Sequence, residues 1–350
     1  MAIPTEMLAA VLARAHEVSV ETVPVPAIEA SDVLVRIAAV GLCGSDVHFY
    51  EDGRVGDLVV EKPLILGHEA SGTVVAVGAD VDVGRIGERV AIEPQRPCRH
   101  CRYCMTGRYN LCESMRFFSA PPVDGAFAEY LAVPADFAYP IGDDISDHAA
   151  ALMEPLSVAI AAVRKAGVVP GSSLLVSGAG PIGILIAQAA RAFGATRIVV
   201  SDPLGARRDA AERYGATEVI DPLVEQLDER SVDAYIDASG VASAVQAGLR
   251  ALRPGATAIL VGMGSPTIPL DVFLVQSREL TVSGLFRYVY TWPTAMALVT
   301  AGLVELNSLV TESFPLEGLE YALDHNADEN VMKFVIEPGR AKPGSRAGRA

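Results

Sequence analysis

The segment from about residue 170 to residue 285 constrains the fold most, because short apolar runs alternate there with helical stretches. Buried strands are indicated by the aliphatic and β-branched runs SSLLVSG, RIVVSDP, DAYIDAS and TAILVGM. Between them lie helical stretches such as PIGILIAQAARAF and ASAVQAGLRAL. Strands that alternate with helices of this length form a parallel sheet, so the pattern predicts the α/β fold class with a doubly wound parallel sheet.

A glycine-rich turn with the spacing G-x-G-x-x-G follows the first of these strands. Its residues are Gly178, Gly180, Pro181, Ile182 and Gly183. Such glycines let the backbone approach a pyrophosphate, and the helix N-terminus beyond them supplies N–H groups. Asp202 ends the second strand nineteen residues later, where a carboxylate accepts hydrogen bonds from ribose hydroxyls and repels a 2′-phosphate. We therefore expect NAD rather than NADP, although Arg207 or Arg208 could tolerate a phosphate.

The chain before this segment has a different pattern, with short apolar runs between glycines and prolines from about residue 32 to 140. These runs include DVLVRIAAV, ASGTVVAVG, GERVAIEP and AFAEYLAVP, and they predict a compact β domain without long helices. With 350 residues, of which 51% are hydrophobic, the chain is long enough for two cores. The stretch from about residue 290 has no clear domain of its own, and we expect it to return to the first domain.

Four of the five cysteines lie close together in CRHCRYCMTGRYNLC. They are Cys98, Cys101, Cys104 and Cys112, with the spacing C-x2-C-x2-C-x7-C. Four thiolates complete the tetrahedral sphere of Zn²⁺ and leave no position for a substrate, so the cluster predicts a structural zinc. The alternatives are free cysteines in a loop and an iron–sulfur cluster, although the Cys-Pro ending of bacterial ferredoxin runs is missing.

The fifth cysteine belongs to a second candidate site, which is built from GLCGSDVH and LGHEASG. Cys43, His68 and Glu69 offer one thiolate, one imidazole and one carboxylate. This mixed set suits zinc in an open catalytic site, where a fourth position remains for water or substrate. Taken alone, His68 has a plainer interpretation as a core or surface histidine.

Charge and hydropathy argue against several kinds of partner. The formal net charge is −15 at pH 7, which disfavours nucleic acid because such binding depends on Lys and Arg neutralising phosphates. The longest apolar stretch, 149–163, is interrupted by Glu154 and Pro155 and is too short for a bilayer. The N-terminus lacks the basic start of a secretory signal. We expect no nucleic-acid partner, no membrane segment, a cytoplasmic location, and a solvated end for the basic tail at 339–350.

Longer segments resemble a known family. The zinc signature of medium-chain alcohol dehydrogenases is similar to GHEASGTVVAVGADV, and the structural-zinc lobe of that superfamily is similar to CRHCRYCMTGRYNLC. Within this superfamily, the polyol dehydrogenases, which oxidise sorbitol or xylitol, are the group that three further segments resemble. These segments are GLCGSDVHFYEDGRVG, LMEPLSVAI and FRYVYTWP. It implies a GroES-like β-rich catalytic domain over 1–157 and 297–350, with the structural-zinc lobe at 93–115. A Rossmann NAD-binding domain is implied over 158–296.

The resemblance also implies roles for individual residues. The implied ligands of the catalytic zinc are Cys43, His68 and Glu69, with water or Glu154 in the fourth position. The implied proton relay comprises Ser45 and His48. The implied substrate pocket is lined by Tyr50, Phe117, Arg287 and Tyr288. The implied nicotinamide site lies near Val261, Gly262, Met263, Phe286 and Arg287. A homotetramer is implied as well.

The expected reaction is the reversible oxidation of a polyol to its ketose. Zinc lowers the pKa of a secondary hydroxyl, the proton leaves through Ser45, and a hydride passes to NAD⁺. A pocket that contains Glu154, Arg287 and tyrosine hydroxyls suits a substrate with several hydroxyls, because an apolar alcohol would leave those groups unpaired. The alternative substrate is L-threonine or a simple alcohol, since enzymes for those substrates generally keep the four-cysteine lobe that some polyol dehydrogenases have lost.

Overall fold

The computed structural model describes residues 3–264 and 266–340. The strands are β1 (Glu6–Arg14), β2 (Glu17–Pro24), β3 (Asp32–Gly41), β4 (Arg54–Val55), β5 (Leu58–Val59), β6 (Leu64–Ile65), β7 (Glu69–Val77), β8 (Arg89–Ile92), β9 (Gln95–Arg96), β10 (Arg116–Phe117), β11 (Tyr130–Pro134), β12 (Ala138–Pro140), β13 (Ser173–Ser177), β14 (Arg197–Ser201), β15 (Glu218–Ile220), β16 (Val232–Asp237), β17 (Leu252–Leu260), β18 (Thr281–Gly284), β19 (Val310–Phe314) and β20 (Lys333–Ile336). The helices are α1 (Gly44–Asp52), α2 (Arg102–Met105), α3 (Asp147–Ala151), α4 (Met153–Lys165), α5 (Pro181–Ala192), α6 (Gly205–Arg213), α7 (Ala242–Ala251), α8 (Val272–Ser277), α9 (Trp292–Thr300) and α10 (Leu319–Asp324). None of these described helices combines the length and apolar content needed to cross a bilayer. Most of the basic tail, 341–350, lies outside the described residues.

The chain divides into two compact units. Unit 1 comprises Met1–Glu154 and the chain from Leu306 onward, and unit 2 comprises Pro155–Glu305. The boundaries implied by the resemblance, at 157/158 and 296/297, differ from these positions by three residues (157 against 154) and nine residues (296 against 305). The first division falls between Glu154 and Pro155, inside helix α4, so the helix continues across it.

The main sheet of unit 1 has the strand order β12-β8-β7-β3-β20-β19, and β11 also pairs with β3. The four apolar runs expected to form strands in this region contribute β3, β7, β8 and β11. Strand β20, near the end of the chain, pairs antiparallel with β3, with Val335 opposite Gly41. This pairing brings the C-terminal stretch back to the sheet formed by the N-terminal strands.

The sequence pattern does not predict β1 and β2, which form an antiparallel hairpin with Met7 opposite Val23. Strand β1 also pairs with β6, and Ala9, Ala10, Val11 and Leu12 are all buried. Residues 9–12 of β1 are buried on both faces and show no alternation of polar and apolar residues, so periodicity does not distinguish this part of β1 from a buried helix.

The sheet of unit 2 is parallel and has the strand order β15-β14-β13-β16-β17-β18. The order extends in opposite directions from β13 and β16, as in dinucleotide-binding α/β domains, which bind ligands at the carboxyl ends of these central strands. Side chains from the sheet and from α7 form an apolar core that includes Leu175, Val199, Tyr235 and Leu249. The fold class predicted from the alternating pattern is confirmed.

Candidate metal centres and dinucleotide site

The three predicted ligands of the catalytic zinc lie together at one edge of the unit 1 sheet. Cys43 follows β3 and is the N-cap residue of α1, whereas His68 and Glu69 stand at the start of β7. Strands β3 and β7 are antiparallel neighbours, with Gly41 opposite Glu69. This pairing brings a sulfur, an imidazole nitrogen and a carboxylate oxygen within 4.8 Å of one another. We call these three residues the mixed-ligand cluster.

The donor atoms of the mixed-ligand cluster fit a metal cation. His68 and Glu69 are buried, and neither His68 Nδ1 nor Glu69 Oε2 has a hydrogen-bond partner among the described residues. A buried polar atom without a hydrogen-bond partner destabilises the folded protein by about 1–3 kcal/mol, and a cation bound to Glu69 Oε2 would offset that cost. A thiolate, an imidazole and a carboxylate are the ligands of open catalytic zinc sites.

Gly41 makes room for the Glu69 carboxylate. A Cβ atom at position 41 would lie 2.1 Å from Glu69 Oε2, which is far inside the distance of a van der Waals contact. Any side chain at this position would displace the buried carboxylate. The glycine at the end of β3 is therefore required by the cluster.

Asp46, which no sequence motif singled out, holds the mixed-ligand cluster in place. This buried carboxylate accepts hydrogen bonds from Cys43 N (3.1 Å), Gly67 N (3.1 Å) and Ser119 Oγ (2.9 Å). Its Oδ1 lies 3.7 Å from His68 Nδ1. Burial alone would raise the pKa of Asp46, but the neighbouring His68 and the backbone N–H donors lower it. The carboxylate thus fixes both chain segments that carry metal ligands. Its place in the first turn of α1 is the only signal that the sequence offers.

Lys333 was also not predicted, and it reaches the same cluster from β20. Its Nζ donates to Glu69 Oε1 at 2.5 Å and to the Leu42 carbonyl at 2.7 Å, and its side chain is 5% exposed. Burial would lower the pKa of Lys333, but Glu69 above all, then Cys43 and Glu154, raise it. Because 264 positions separate Lys333 from Glu69, no local pattern predicts this contact.

The implied relay residues and Glu154 take different positions in unit 1. Glu154 is buried and interacts electrostatically with Lys333, but among the described residues it does not join the group of ligand atoms within 4.8 Å. Ser45 is half-buried in the first turn of α1. His48 lies one turn further along, with its side chain 44% exposed and its Nδ1 3.4 Å from Asp52 Oδ2.

Phe117 and Tyr50 are both implied as pocket residues, and the structure places them in different surroundings. The ring centroid of Phe117 lies 5.5 Å from that of His68, so this ring stands beside the mixed-ligand cluster. Tyr50 is buried, with its ring edge-on to His16 at 5.0 Å. Burial, together with a hydrogen bond to Asp324, raises the pKa of Tyr50 to about 12. The Tyr50 hydroxyl is thus engaged with the end of α10.

The other four cysteines form a second cluster within a short lobe of unit 1. The sulfur atoms of Cys98, Cys101, Cys104 and Cys112 lie within 4.8 Å of one another. Two backbone donors approach them, since Cys98 N lies 3.2 Å from Cys112 Sγ and Cys101 N lies 3.3 Å from Cys98 Sγ. The four sulfurs match a closed structural zinc site. We call these residues the four-cysteine cluster.

Glu93 anchors this lobe to the sheet and was not predicted. Its buried carboxylate accepts hydrogen bonds from Tyr109 Oη (2.8 Å), Gln95 Nε2 (2.9 Å) and Tyr139 Oη (3.1 Å). Tyr109 belongs to the lobe, whereas Tyr139 belongs to β12. Burial raises the pKa of Glu93 to about 7, although these three hydrogen bonds oppose the shift.

In unit 2, the glycine-rich turn joins β13 to α5. Gly178 has a φ of +93°, in the left-handed region that favours glycine. A Cβ atom on Gly183 would lie 1.9 Å from the Gly178 carbonyl oxygen, so only glycine lets the helix pack this closely on the turn. Gly180 is the N-cap residue of α5, and Pro181 and Ile182 begin the helix. The turn therefore has the form that receives a pyrophosphate at a helix N-terminus.

Asp202 lies beyond the end of β14, next to this turn. Its Oδ2 accepts a hydrogen bond from Ala179 N at 2.8 Å, and its Oδ1 accepts one from Leu204 N at 2.9 Å. Each carboxylate oxygen can accept a further hydrogen bond. The carboxylate is thus oriented by backbone groups of the turn itself.

The two neighbouring arginines differ in their surroundings. Arg208 donates to the Asp202 carbonyl oxygen at 2.7 Å and pairs with Asp221 at 3.2 Å. Arg207 instead extends to the turn, where its Nη1 lies 3.2 Å from the position of a Cβ on Gly180. Arg207 is the better placed of the two to meet a bound phosphate.

The residues implied near the nicotinamide follow β17. The N–H groups of Val261 and Gly262 both donate to the Asp237 carbonyl at 2.9 Å, and the Met263 side chain is exposed. A Cβ atom on Gly262 would lie 2.2 Å from Gly240 N, so this loop depends on close backbone packing.

The segment after β18 contains the other implied residues of unit 2. Arg287 has a φ of +56°, which is uncommon for a residue other than glycine. Its guanidinium lies 4.6 Å from the ring centroid of the exposed Phe286. Tyr288 is buried instead, with its ring edge-on to Trp292 at 4.9 Å. Strained backbone of this kind concentrates at functional sites.

Two family models match the chain. Residues 29–143 match the alcohol dehydrogenase GroES-like domain, and residues 181–301 match the zinc-binding dehydrogenase domain. The two matches fall in unit 1 and unit 2 respectively.

Curated relatives resemble the chain over almost its whole length. It is 40% identical to sorbitol dehydrogenase of Bacillus subtilis (strain 168), and the match covers 97% of this chain and 99% of the relative. It is 41% identical to D-xylulose reductase A of Aspergillus oryzae, over 94% of this chain and 96% of the relative.

Solved structures show the same architecture. L-idonate 5-dehydrogenase of Escherichia coli K-12 has a TM-score of 0.89 and 30% identity, over 95% of this chain and 98% of that one. A zinc-binding dehydrogenase of Sinorhizobium meliloti bound to NADP has a TM-score of 0.88 and 30% identity, over 96% of this chain and 100% of that one. The chain therefore belongs to the zinc-dependent medium-chain dehydrogenases and, within them, to the polyol dehydrogenases.

Proposed function

We propose that this protein oxidises a secondary hydroxyl of a polyol of the sorbitol or xylitol type to the ketose, with NAD⁺ as acceptor, in a reversible reaction. The observation that carries the proposal is the mixed-ligand cluster, where a thiol, an imidazole and a carboxylate place ligand atoms within 4.8 Å of one another and Glu69 Oε2 has no hydrogen-bond partner among the described residues. Relatives whose names denote action on sorbitol and D-xylulose support the substrate class.

Cys43, His68 and Glu69 would hold the catalytic zinc, and the four-cysteine cluster would hold a structural zinc. When bound, the catalytic zinc supplies a Lewis acid that lowers the pKa of an alcohol hydroxyl, and NAD⁺ supplies the hydride acceptor. The fourth position would be taken by water, by the substrate or by Glu154, whose carboxylate is not among the ligand atoms that lie within 4.8 Å of one another.

The chain's own residues bind, orient and deprotonate the substrate. Ser45, one turn before His48 on α1, would accept the hydroxyl proton while its own hydroxyl proton passes on toward the partly exposed His48, which would release a proton to solvent. Phe117 beside His68 excludes water from the cluster on that side. In unit 2, the resemblance implies Arg287 and Tyr288 as pocket residues, and their side chains carry polar groups of the kind that a substrate with several hydroxyls requires.

The cofactor preference follows from Asp202. Backbone donors hold its carboxylate at the end of β14, where it would bind ribose hydroxyls and repel a 2′-phosphate. Arg207 has the opposite tendency, because it lies at the turn and pairs with no carboxylate among the described residues, whereas Arg208 pairs with Asp221. We expect kcat/KM to be higher with NAD⁺ than with NADP⁺, and the reverse order would contradict this assignment.

The substrate class is tested by NADH formation with sorbitol, xylitol, L-threonine and ethanol in parallel. A clear preference for either polyol supports the proposal. A preference for threonine or ethanol would retain the zinc and hydride chemistry but would show that Phe117, Arg287 and Tyr288 serve another class of alcohol.

The protein is further proposed to be a cytoplasmic homotetramer. Apolar side chains that are exposed in the single chain, including Leu270, Val272 and Phe273 in unit 2, support self-association. The five free cysteines suit a reducing compartment. Light scattering should give about four times the chain mass of 36.8 kDa, and a monomeric mass would exclude the tetramer.

A further inference from the structure

A lysine from the far end of the chain is built into the mixed-ligand cluster. Strand β20 lies beside β3, with Val335 opposite Gly41, and Leu42 N donates to the Phe334 carbonyl at 3.0 Å. Lys333, the first residue of β20, therefore reaches the point where β3 ends and the segment with Cys43 begins.

The two hydrogen bonds of Lys333 bind both ligand-bearing segments. One goes to the carbonyl of Leu42, which directly precedes Cys43, and the other goes to Glu69 Oε1. The ammonium group thus joins the end of β3 to the start of β7 through side-chain contacts, in addition to the pairing of the strands. The contact is buried, with Lys333 5% exposed and Glu69 1% exposed, so water does not compete for it.

The same contact makes the two oxygens of Glu69 different. Oε1 is occupied by the ammonium group, whereas Oε2 has no partner among the described residues and lies in the space left by the missing Cβ of Gly41. A carboxylate that was free to rotate could present either oxygen, or both, to a cation. Because Oε1 is occupied by Lys333, Oε2 is the oxygen of Glu69 that remains available to coordinate a cation.

Charge supports the same arrangement. Glu69, Glu154 and Cys43 all interact electrostatically with Lys333. A buried carboxylate without a counter-charge is costly and would turn toward water or become protonated. Lys333 offsets that cost and keeps the Glu69 side chain at the cluster before a metal arrives.

We infer that Lys333 is a positioning residue for the metal ligand Glu69: it occupies Oε1 and so leaves Oε2 as the oxygen available to a cation bound with the thiol of Cys43 and the imidazole of His68. This inference rests on the proposed function, because it takes the mixed-ligand cluster to be a zinc site. The proposed role of Lys333 requires no contact with the substrate, because the lysine acts through Glu69.

The test is zinc affinity, measured on the full-length protein by competition with the chelator 4-(2-pyridylazo)resorcinol. Substitution Lys333→Met removes the charge and both hydrogen bonds while keeping much of the side-chain volume. We expect the zinc of the mixed-ligand cluster to bind about 10–100-fold more weakly, as when other outer partners of metal ligands are removed. The zinc of the four-cysteine cluster is the internal control and should be unaffected. Unchanged binding at the mixed-ligand cluster would overturn the inference, because Lys333 would then contribute nothing to zinc affinity; tighter binding would overturn it as well, because the lysine would then only repel the metal.

A second pair of variants separates positioning from a general structural role and applies even if Lys333→Met alone fails to fold. The double variant Lys333→Met with Glu69→Gln is electrically balanced, and it is compared with Glu69→Gln alone. If Lys333 acts through Glu69, the two should bind zinc with affinities within about twofold, since the effects of coupled residues are not additive. A further loss of tenfold or more in the double variant would show that Lys333 supports the site by another route.

The wild-type protein provides the remaining distinction. If its mixed-ligand cluster binds no zinc, the proposed function fails, and the role of Lys333 fails with it. If wild type binds zinc there and oxidises a polyol while Lys333→Met binds that zinc as tightly as wild type does, only the role of Lys333 is lost.

Discussion

The two candidate metal centres of unit 1 are built in opposite ways. The four-cysteine cluster takes its ligands from fifteen consecutive positions, and three of those cysteines are partly exposed. The mixed-ligand cluster takes its ligands from the ends of two paired strands, buries His68 and Glu69, and depends on Asp46 and Lys333 for its geometry. A local cluster can hold a metal for stability, whereas a site that leaves a position open for substrate needs the surrounding fold to orient each ligand.

Among the substitutions that distinguish the two metal centres, Cys43→Ala should have the largest effect, and this effect is on turnover. Removing a ligand of the mixed-ligand cluster should lower the rate of NADH formation by about a thousandfold or more, because a bound metal contributes several kcal/mol to the reaction. NAD⁺ binding should remain almost normal, since the glycine-rich turn lies in unit 2. Steady-state kinetics and a fluorescence titration with NADH check the two outcomes. Retained turnover would refute the assignment of Cys43 as a zinc ligand.

The matched change in the other centre is Cys112→Ser. Loss of a structural ligand should reduce the free energy of unfolding by about 4 kcal/mol, while kcat per folded molecule should change little. Thermal unfolding and active-site titration of the folded fraction measure these quantities. If Cys112→Ser abolished turnover in fully folded protein, the two clusters would not have separate roles.

Glu93, which anchors the lobe that contains the four-cysteine cluster, should make the free energy of unfolding depend on pH. The folded protein raises the pKa of Glu93 to about 7 from a reference of 4.5, so the folded state binds the proton more tightly than the unfolded state. The free energy of unfolding should therefore fall as pH rises from about 4.5 to 7, by about 3 kcal/mol from this group. Glu93→Gln should flatten that part of the profile, as measured by urea unfolding at several pH values. An unchanged slope would mean that Glu93 is ionised at low pH in the folded protein.

The smallest effect is expected for Gly41→Ala. The added Cβ would meet Glu69 Oε2 at 2.1 Å, so the carboxylate must move and zinc affinity at the mixed-ligand cluster should fall by about tenfold. Gly44→Ala is the control, because a Cβ on Gly44 would have no neighbour within 4 Å. Chelator competition compares the two variants, and equal affinities would show that the space at Gly41 does not matter.

The four-cysteine cluster could be predicted from the sequence because its ligands are close together in the chain, whereas the residues that support the mixed-ligand cluster could not. The spacing of Cys98, Cys101, Cys104 and Cys112 and the glycines of the turn are local, so their geometry follows from the sequence pattern. The contact between Lys333 and Glu69 spans 264 positions and depends on the pairing of β20 with β3, which no spacing encodes. Glu93 and Tyr139 meet only because β8 pairs with β12. The hydrogen bond between Tyr50 and Asp324 on α10 likewise joins residues far apart in the chain, and no spacing predicts it.

The most direct test of the account is a count of zinc ions in the purified protein and in its two cysteine variants. We predict about two zinc ions per chain in the wild type and about one in each of Cys43→Ala and Cys112→Ser. A wild-type protein with about one zinc per chain, which Cys43→Ala leaves unchanged, would contradict the assignment of the mixed-ligand cluster as the catalytic metal centre.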